Sequence, residues 1–91
     1  MTEKKQAVIT IFTKLVCPYC VRAKQLLQHK GVEFEEIRVD TNPDKLSEML
    51  ERSNGARTVP QIFIGDTHVG GSDDMYALHR ANKLDELLFP Q

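Results

Sequence analysis

Apolar segments with the composition of β-strands recur along the chain. Residues 7–13 (A-V-I-T-I-F-T) are rich in β-branched side chains and nearly all apolar, as expected of a strand buried on both faces. Residues 34–39 are more polar, which favours a second strand nearer the edge of a sheet. Residues 60–64 predict a third strand, and residues 67–69 predict a short fourth strand after a tight turn at Gly65-Asp66.

The segments between these strands carry helical signals. Pro18 suits the first position of a helix, where its missing N–H loses no partner, and helical spacing continues until Gly31 ends the helix. Asn42 and Pro43 predict the start of a second helix, which Asn54-Gly55 ends. The expected apolar stripe of this second helix consists of Leu46, Met49 and Leu50.

The last part of the chain predicts a third helix. Ser72 follows the break at Gly70-Gly71 and is expected to cap a helix to about Asn82, with residues 83–88 adding a final turn or two. The order is therefore β-α-β-α-β-β-α. A crossover makes the first two strands parallel with a right-handed connection, whereas the last two form an antiparallel hairpin. The prediction is an α/β fold with a four-stranded mixed sheet flanked by helices.

Size and composition bound the possible functions. The chain has 91 residues, which predicts a single domain over residues 1–91, with residues 1–6 as a flexible tail. A net charge of -1 provides no basic field for nucleic acid. The only apolar run near the start is too short for a signal peptide or a membrane span. We therefore expect a cytoplasmic protein, in which a disulfide is transient and catalytic rather than structural.

Two cysteines, in the motif Cys17-Pro18-Tyr19-Cys20, are the main candidates for chemistry. The motif lies between a predicted strand and a predicted helix. Cys17 would face the unpaired N–H groups and the positive end of the helix dipole, both of which favour a thiolate. Cys20 lies one turn further along the same face, close enough to bridge. We therefore expect Cys17 to be the nucleophile and Cys20 the resolving thiol.

The alternative for this motif is half of a zinc site. Zinc usually needs four ligands, and the chain contains no second pair of cysteines. The three histidines, His29, His68 and His79, lack the spacing of ligands. The motif therefore favours thiol–disulfide chemistry, and no metal ligands are predicted.

Other motifs allow both a structural and a functional interpretation. Pro60 in Thr58-Val59-Pro60 either starts a strand or forms a cis bond that presents the Val59 backbone to a peptide-like ligand. In Gly70-Gly71-Ser72-Asp73-Asp74, the residues either begin a helix or hold a ligand carboxylate and ammonium. Lys14 and Arg57 are either solvated cations or partners of a thiolate or ligand carboxylate. Tyr19 is expected to be exposed.

Together these motifs resemble a glutaredoxin of the small bacterial dithiol type, over almost the whole chain from Val8 to Leu88. The residues that carry the resemblance are Thr13 to Cys20, Thr58 to Pro60 and Gly70 to Asp74. In combination they are highly specific, although none would be decisive singly. The resemblance implies a thioredoxin fold with a cis Pro60, and glutathione as the reducing partner.

The resemblance also implies a glutathione-binding groove. Lys14 and Arg57 would contact the glycyl carboxylate, and Val59 would pair backbone to backbone with the cysteinyl part. The N–H of Ser72 and the carboxylate of Asp73 would hold the γ-glutamyl end. The implied binding residues are Lys14, Tyr19, Arg57, Thr58, Val59, Pro60, Gly71, Ser72 and Asp73.

Three functions follow from the dithiol. The leading hypothesis is glutathione-dependent reduction of protein disulfides and glutathionylated proteins by a monomer with no bound cofactor. The second is a thioredoxin-like oxidoreductase, against which the absence of Trp and the Pro-Tyr dipeptide between the cysteines argue. The third is an iron–sulfur carrier, a dimer bridged by a cluster on two Cys17 thiolates and two glutathiones.

Overall fold

The computed structural model of the protein describes residues 6–90, which form four strands and four helices. In chain order these are β1 (Ile9–Thr13), α1 (Pro18–His29), β2 (Glu35–Arg38), α2 (Pro43–Arg52), β3 (Gln61–Ile64), β4 (Thr67–Gly70), α3 (Ser72–Arg80) and α4 (Leu84–Leu88). The predicted order of elements is confirmed. The final helical turns form the separate short helix α4.

The four strands form one mixed sheet in the order β2-β1-β3-β4. Strand β1 pairs parallel to β2, antiparallel to β3, and β3 forms an antiparallel hairpin with β4. The predicted parallel pair, the hairpin and the edge position of β2 are confirmed. This connectivity is the thioredoxin fold that the resemblance implies.

Two apolar cores lie against the sheet. The larger core packs residues of α1, α3 and α4 against alternate positions of β1 and β3, such as Ile11 and Ile62. The smaller core packs Met49 of α2 against the intervening positions Phe12 and Phe63. All five residues of β1 are buried, as the sequence predicts, because β1 is an inner strand with neighbours on both sides.

The first two helices begin and end where the sequence predicts. Cys17 is the N-cap of α1 and Pro18 is its first residue, and Gly31 beyond its end has a φ of 74°. The side chain of Asn42 caps α2 by accepting a hydrogen bond from the N–H of Lys45 (3.4 Å). The predicted apolar stripe of α2 is wrong at Leu46, whose side chain is 37% exposed.

The predicted cap of α3 is also wrong. Ser72 is the first residue of the helix, and the N-cap is Gly71. The carboxylate of Asp74 reaches back and accepts a hydrogen bond from the N–H of Gly71 (2.9 Å). Because Ser72 is already in the helix, its hydroxyl does not reach forward to cap it, and the longer carboxylate of Asp74 bonds the N-cap amide instead.

The predicted flexible tail falls mostly outside the described residues, which exclude residues 1–5. Gln6 is bonded to the backbone of Glu33: its Nε2 donates to the carbonyl oxygen (2.7 Å) and its Oε1 accepts from the N–H (2.8 Å). The bonds hold the start of the described chain beside the segment that leads into β2. No helix within residues 6–90 is both long enough and apolar enough to cross a membrane.

Candidate active site

Cys17 and Cys20 lie at the start of α1, directly after the loop that leaves β1. Their sulfurs are joined as a disulfide, and their Cα atoms are 5.1 Å apart. The main-chain N–H of Cys20 donates to the sulfur of Cys17 (3.1 Å). The prediction that the two sulfurs are close enough to bridge is confirmed.

The two cysteines differ in exposure and in their position in the first turn of α1. Cys17 is 7% exposed and stands at the N-cap, whereas Cys20 is 2% exposed and lies inside the helix. A thiolate on Cys17 would keep the hydrogen bond from the Cys20 amide and gain from the helix dipole. The geometry of the helix start therefore favours an anion on Cys17.

The segment before β3 forms a second wall beside Cys17. The Val59–Pro60 peptide bond is cis, which confirms the predicted cis bond, and Pro60 directly precedes β3. That the Val59 backbone binds a peptide-like ligand stays a prediction. The carbonyl oxygen of Val59 lies 3.8 Å from the sulfur of Cys17. A main-chain carbonyl at this distance from the reactive sulfur belongs to a segment that can present its backbone to a bound peptide.

A cleft of about 320 Å³ opens between the first turn of α1, the segment before β3 and the start of α3. Tyr19, 54% exposed as predicted, forms part of its wall. The other residues that line the cleft are Ala56, Thr58, Gln61, His68, Gly70, Gly71, Ser72, Asp73 and Asp74.

The structure brings most of the predicted binding residues to this cleft. Tyr19, Thr58, Gly71, Ser72 and Asp73 line it, although they come from three separate segments. Val59 and Pro60 adjoin it next to Cys17.

The two predicted cations lie elsewhere on the surface. Lys14 and Arg57 are exposed and are not among the residues that line the cleft. In the sequence, Lys14 precedes Cys17 by three positions and Arg57 directly precedes Thr58. Their role in binding therefore stays a prediction.

The sequence analysis did not predict three of the lining residues as part of the site: Ala56, Gln61 and His68. Gln61 is 3% exposed on the inner strand β3, and His68 lies on the neighbouring strand β4. A polar residue among the apolar positions of a buried strand is a signal for Gln61. His68 has no such signal, because only the pairing of β3 with β4 brings it to the cleft.

A hydrogen bond to Asp40, two residues after the end of β2, anchors the loop before Cys17. The carboxylate of Asp40 accepts a hydrogen bond from the N–H of Leu15 (3.1 Å) and two from Arg38 (both 2.7 Å). The hydrogen bond from the Arg38 guanidinium is the main cause that holds the pKa of Asp40 far below its usual value. Leu15 and Val16 are 72% and 78% exposed, so an apolar lip stands beside the dithiol.

Comparisons with known proteins agree with this geometry. The glutaredoxin family model matches residues 9–69. A glutaredoxin of Pseudomonas aeruginosa is 60% identical over 80 residues, which cover 88% of this chain and 94% of that protein.

Solved structures give the same result. The solution structure of a glutaredoxin from Brucella melitensis matches with a TM-score of 0.80 and 54% identity, over 92% of this chain and 90% of that one. The crystal structure of a buckwheat glutaredoxin–glutathione complex matches with a TM-score of 0.80 and 35% identity, over 90% of this chain and 76% of that one. The chain therefore belongs to the glutaredoxin family of thiol–disulfide oxidoreductases, and its Cys17–Cys20 pair lies at disulfide distance.

Proposed function

We propose that this chain uses glutathione to reduce protein disulfides and to remove glutathione from glutathionylated proteins. One observation carries the proposal: the sulfur of Cys17 accepts a hydrogen bond from the N–H of Cys20 and lies 3.8 Å from the Val59 carbonyl oxygen. The sulfur proposed to attack and the backbone proposed to bind the ligand are therefore neighbours. The similar buckwheat protein in complex with glutathione supports glutathione as the co-substrate.

The cleft next to Cys17 suits a glutathionyl group. We assign the cysteinyl part to the backbone of Val59, with Thr58 and Pro60 holding that segment in place. The γ-glutamyl carboxylate would accept from the N–H of Ser72 at the start of α3, where a helix favours an anion.

The rest of the ligand would span the cleft. The γ-glutamyl ammonium would bind the carboxylate of Asp73 beside Gly71. Tyr19 would lie along the ligand, and the exposed cations Lys14 and Arg57 would attract the glycyl carboxylate. Because these two cations are exposed, we expect each to contribute less than the groups within the cleft.

The chemistry needs only thiols and disulfides. The Cys17 thiolate attacks the glutathione sulfur of a glutathionylated protein, a Cys17–glutathione disulfide forms, and the protein thiolate leaves and takes a proton from water. A second glutathione thiolate then attacks the glutathione sulfur of this mixed disulfide. The products are glutathione disulfide and a regenerated Cys17 thiolate.

Reduction of a protein disulfide uses both cysteines. Cys17 attacks one sulfur of the substrate and holds it as a mixed disulfide. Cys20, one turn away on the same helix, then displaces the substrate thiol and forms the Cys17–Cys20 disulfide. Two glutathione molecules reduce this disulfide and are converted to glutathione disulfide.

The test is a glutathione-coupled assay on a small glutathione mixed disulfide, with wild type, Cys17→Ser and Cys20→Ser compared. We expect Cys17→Ser to be inactive, because it lacks the attacking sulfur. Cys20→Ser is expected to keep deglutathionylation but to lose reduction of protein disulfides. The rate of glutathione disulfide formation is the measurement.

Two outcomes would contradict this proposal. An active Cys17→Ser with an inactive Cys20→Ser would reverse the roles of the two sulfurs. A wild-type protein that ignores glutathione but accepts electrons from a thioredoxin reductase would replace the glutathione-dependent function with a thioredoxin-like one.

A further inference from the structure

Gln61 is a polar residue in a place that requires an explanation. Its side chain is 3% exposed, on an inner strand whose next three residues are apolar. A buried primary amide costs free energy unless its N–H groups and its oxygen all find partners. The partners of Gln61 lie in two different segments of the active-site cleft, Thr58 and His68.

The chemistry of the partners fixes the orientation of this amide. The Thr58 carbonyl oxygen can only accept, so the Gln61 atom 2.9 Å from it is the amide nitrogen. The same nitrogen is 3.2 Å from the Thr58 hydroxyl. The oxygen of Gln61 therefore points to His68, whose Nε2 lies 2.6 Å away and must carry the hydrogen that it donates.

The imidazole ring of His68 is held although it lies on an edge strand. His68 pairs across the sheet with Phe63, and the two rings stack with centroids 4.7 Å apart and planes 19° apart. The Phe63 ring is itself covered by the guanidinium of Arg52, 4.4 Å from its centroid. Stacking on a buried ring therefore restricts the plane of the imidazole, and the hydrogen bond between Nε2 and Gln61 restricts its rotation within that plane.

We infer that His68, acting through Gln61, is a positioning residue for the segment that presents Val59 to the substrate. The hydrogen bonds from His68 to Gln61 and from Gln61 to Thr58 together form a relay. It engages both the carbonyl and the hydroxyl of Thr58, the residue that precedes Val59. A segment held in its binding conformation loses less entropy when the ligand binds. The inference rests on the proposed function and assigns it a residue from β4.

Two substitutions of His68 test the relay, because they separate stacking on Phe63 from hydrogen-bond donation to Gln61. His68→Phe keeps a ring that stacks on Phe63 but lacks the donor, whereas His68→Gln supplies an N–H donor without the ring. In the glutathione-coupled assay we expect His68→Phe to raise KM for the mixed disulfide about fivefold, as for the loss of one hydrogen bond. We expect kcat to change by less than about twofold and His68→Gln to restore most of the affinity.

A matched control lies on another element. His79 in α3 also contacts an aromatic ring, that of Tyr76, with centroids 6.5 Å apart. His79→Phe is expected to leave KM unchanged. An unchanged KM in His68→Phe would overturn the inference, and so would a KM raised equally by His68→Phe and His68→Gln, since that pattern would show that only the ring matters.

A second measurement separates failure of the relay from failure of the proposed function. Amide hydrogen exchange at Thr58 and Val59, followed by NMR without any substrate, should accelerate in His68→Phe and slow again in His68→Gln. An exchange rate unchanged by His68→Phe would overturn the relay even if glutathione is the co-substrate. If glutathione is not the co-substrate, the proposed function fails, and the exchange rates alone still decide for or against the relay.

Discussion

At the scale of single residues, Gly70 shows how one missing side chain shapes the cleft. Its φ is 111°, a conformation that L side chains rarely adopt. A Cβ atom at this position would also collide with the carboxylate of Asp74, which accepts the hydrogen bond from Gly71. A glycine is therefore favoured at position 70 for two reasons. Its backbone adopts a positive φ, and the absence of a Cβ leaves space for the Asp74 carboxylate that bonds the N-cap amide of α3.

Gly70→Ala is expected to lower the free energy of unfolding by about 2–5 kcal/mol, the sum of backbone strain and steric overlap. The control is Gly31→Ala, which has a φ of 74° but no atom within 4 Å of the added Cβ. We expect that control to cost about 1–2 kcal/mol from strain alone. Urea denaturation measures both, and equal losses would show that the overlap with Asp74 is relieved without cost.

At the scale of elements, the start of α1 depends on the edge strand β2. The carboxylate of Asp40, two residues after the end of β2, binds the N–H of Leu15 in the loop before Cys17. Arg38 at the end of β2 donates two hydrogen bonds to the same carboxylate. The β1–α1 loop is thus anchored to β2 as well as to the strand from which it leaves.

This contact predicts a dependence of stability on pH. Because the Arg38 hydrogen bond lowers the pKa of Asp40 below its usual 3.8, the carboxylate stabilises the folded chain above that pH. The stabilisation is lost as pH falls below 3.8 toward the lowered pKa. In Asp40→Asn we expect the urea midpoint to drop less between about pH 7 and about pH 3 than in wild type.

Arg38→Gln serves as the matched variant. It removes the principal cause of the lowered pKa, so it should also reduce the drop in the urea midpoint. The double variant should show little further reduction, since the two groups form one contact. Fully additive effects of the two substitutions would show that this contact does not determine the loss of stability at low pH.

At the scale of the whole molecule, the sheet separates two cores of unequal size. Leu27 of α1 is fully buried in the larger core, and Met49 of α2 is fully buried in the smaller one. Strand β1 contributes Ile11 to the first and Phe12 to the second. Because one strand belongs to both, the loss of either core should destabilise the whole chain.

The expectation of a single domain is tested by Leu27→Ala and Met49→Ala. Each should lower the free energy of unfolding by about 2–5 kcal/mol without changing the slope of the denaturant dependence. Far-UV circular dichroism measures the loss of secondary structure in the whole chain, including α2. The fluorescence of Tyr19 and Tyr76 measures changes around α1 and α3. Coincident transitions are expected. A separate early transition in Met49→Ala would show that α2 and its core unfold independently.

The sequence alone determined those features that depend on neighbours along the chain. The spacing of Cys17 and Cys20 places both sulfurs on one helical turn, and Pro18 and Asn42 mark helix starts through local geometry. The alternation of apolar and polar segments gives the order of strands and helices. Each signal works over a few residues, where the backbone geometry of a helix or strand relates side chains directly to sequence spacing.

Only the tertiary structure decided which distant segments meet. It inserted β1 between β2 and β3, and that arrangement brings Val59 to within contact of Cys17. It also brought His68 on β4 to Gln61 on β3, and made Gly71 rather than Ser72 the N-cap of α3, with its N–H bonded to Asp74. These contacts depend on strand register and on competition between donors and acceptors in three dimensions, which the spacing of residues along the chain does not encode.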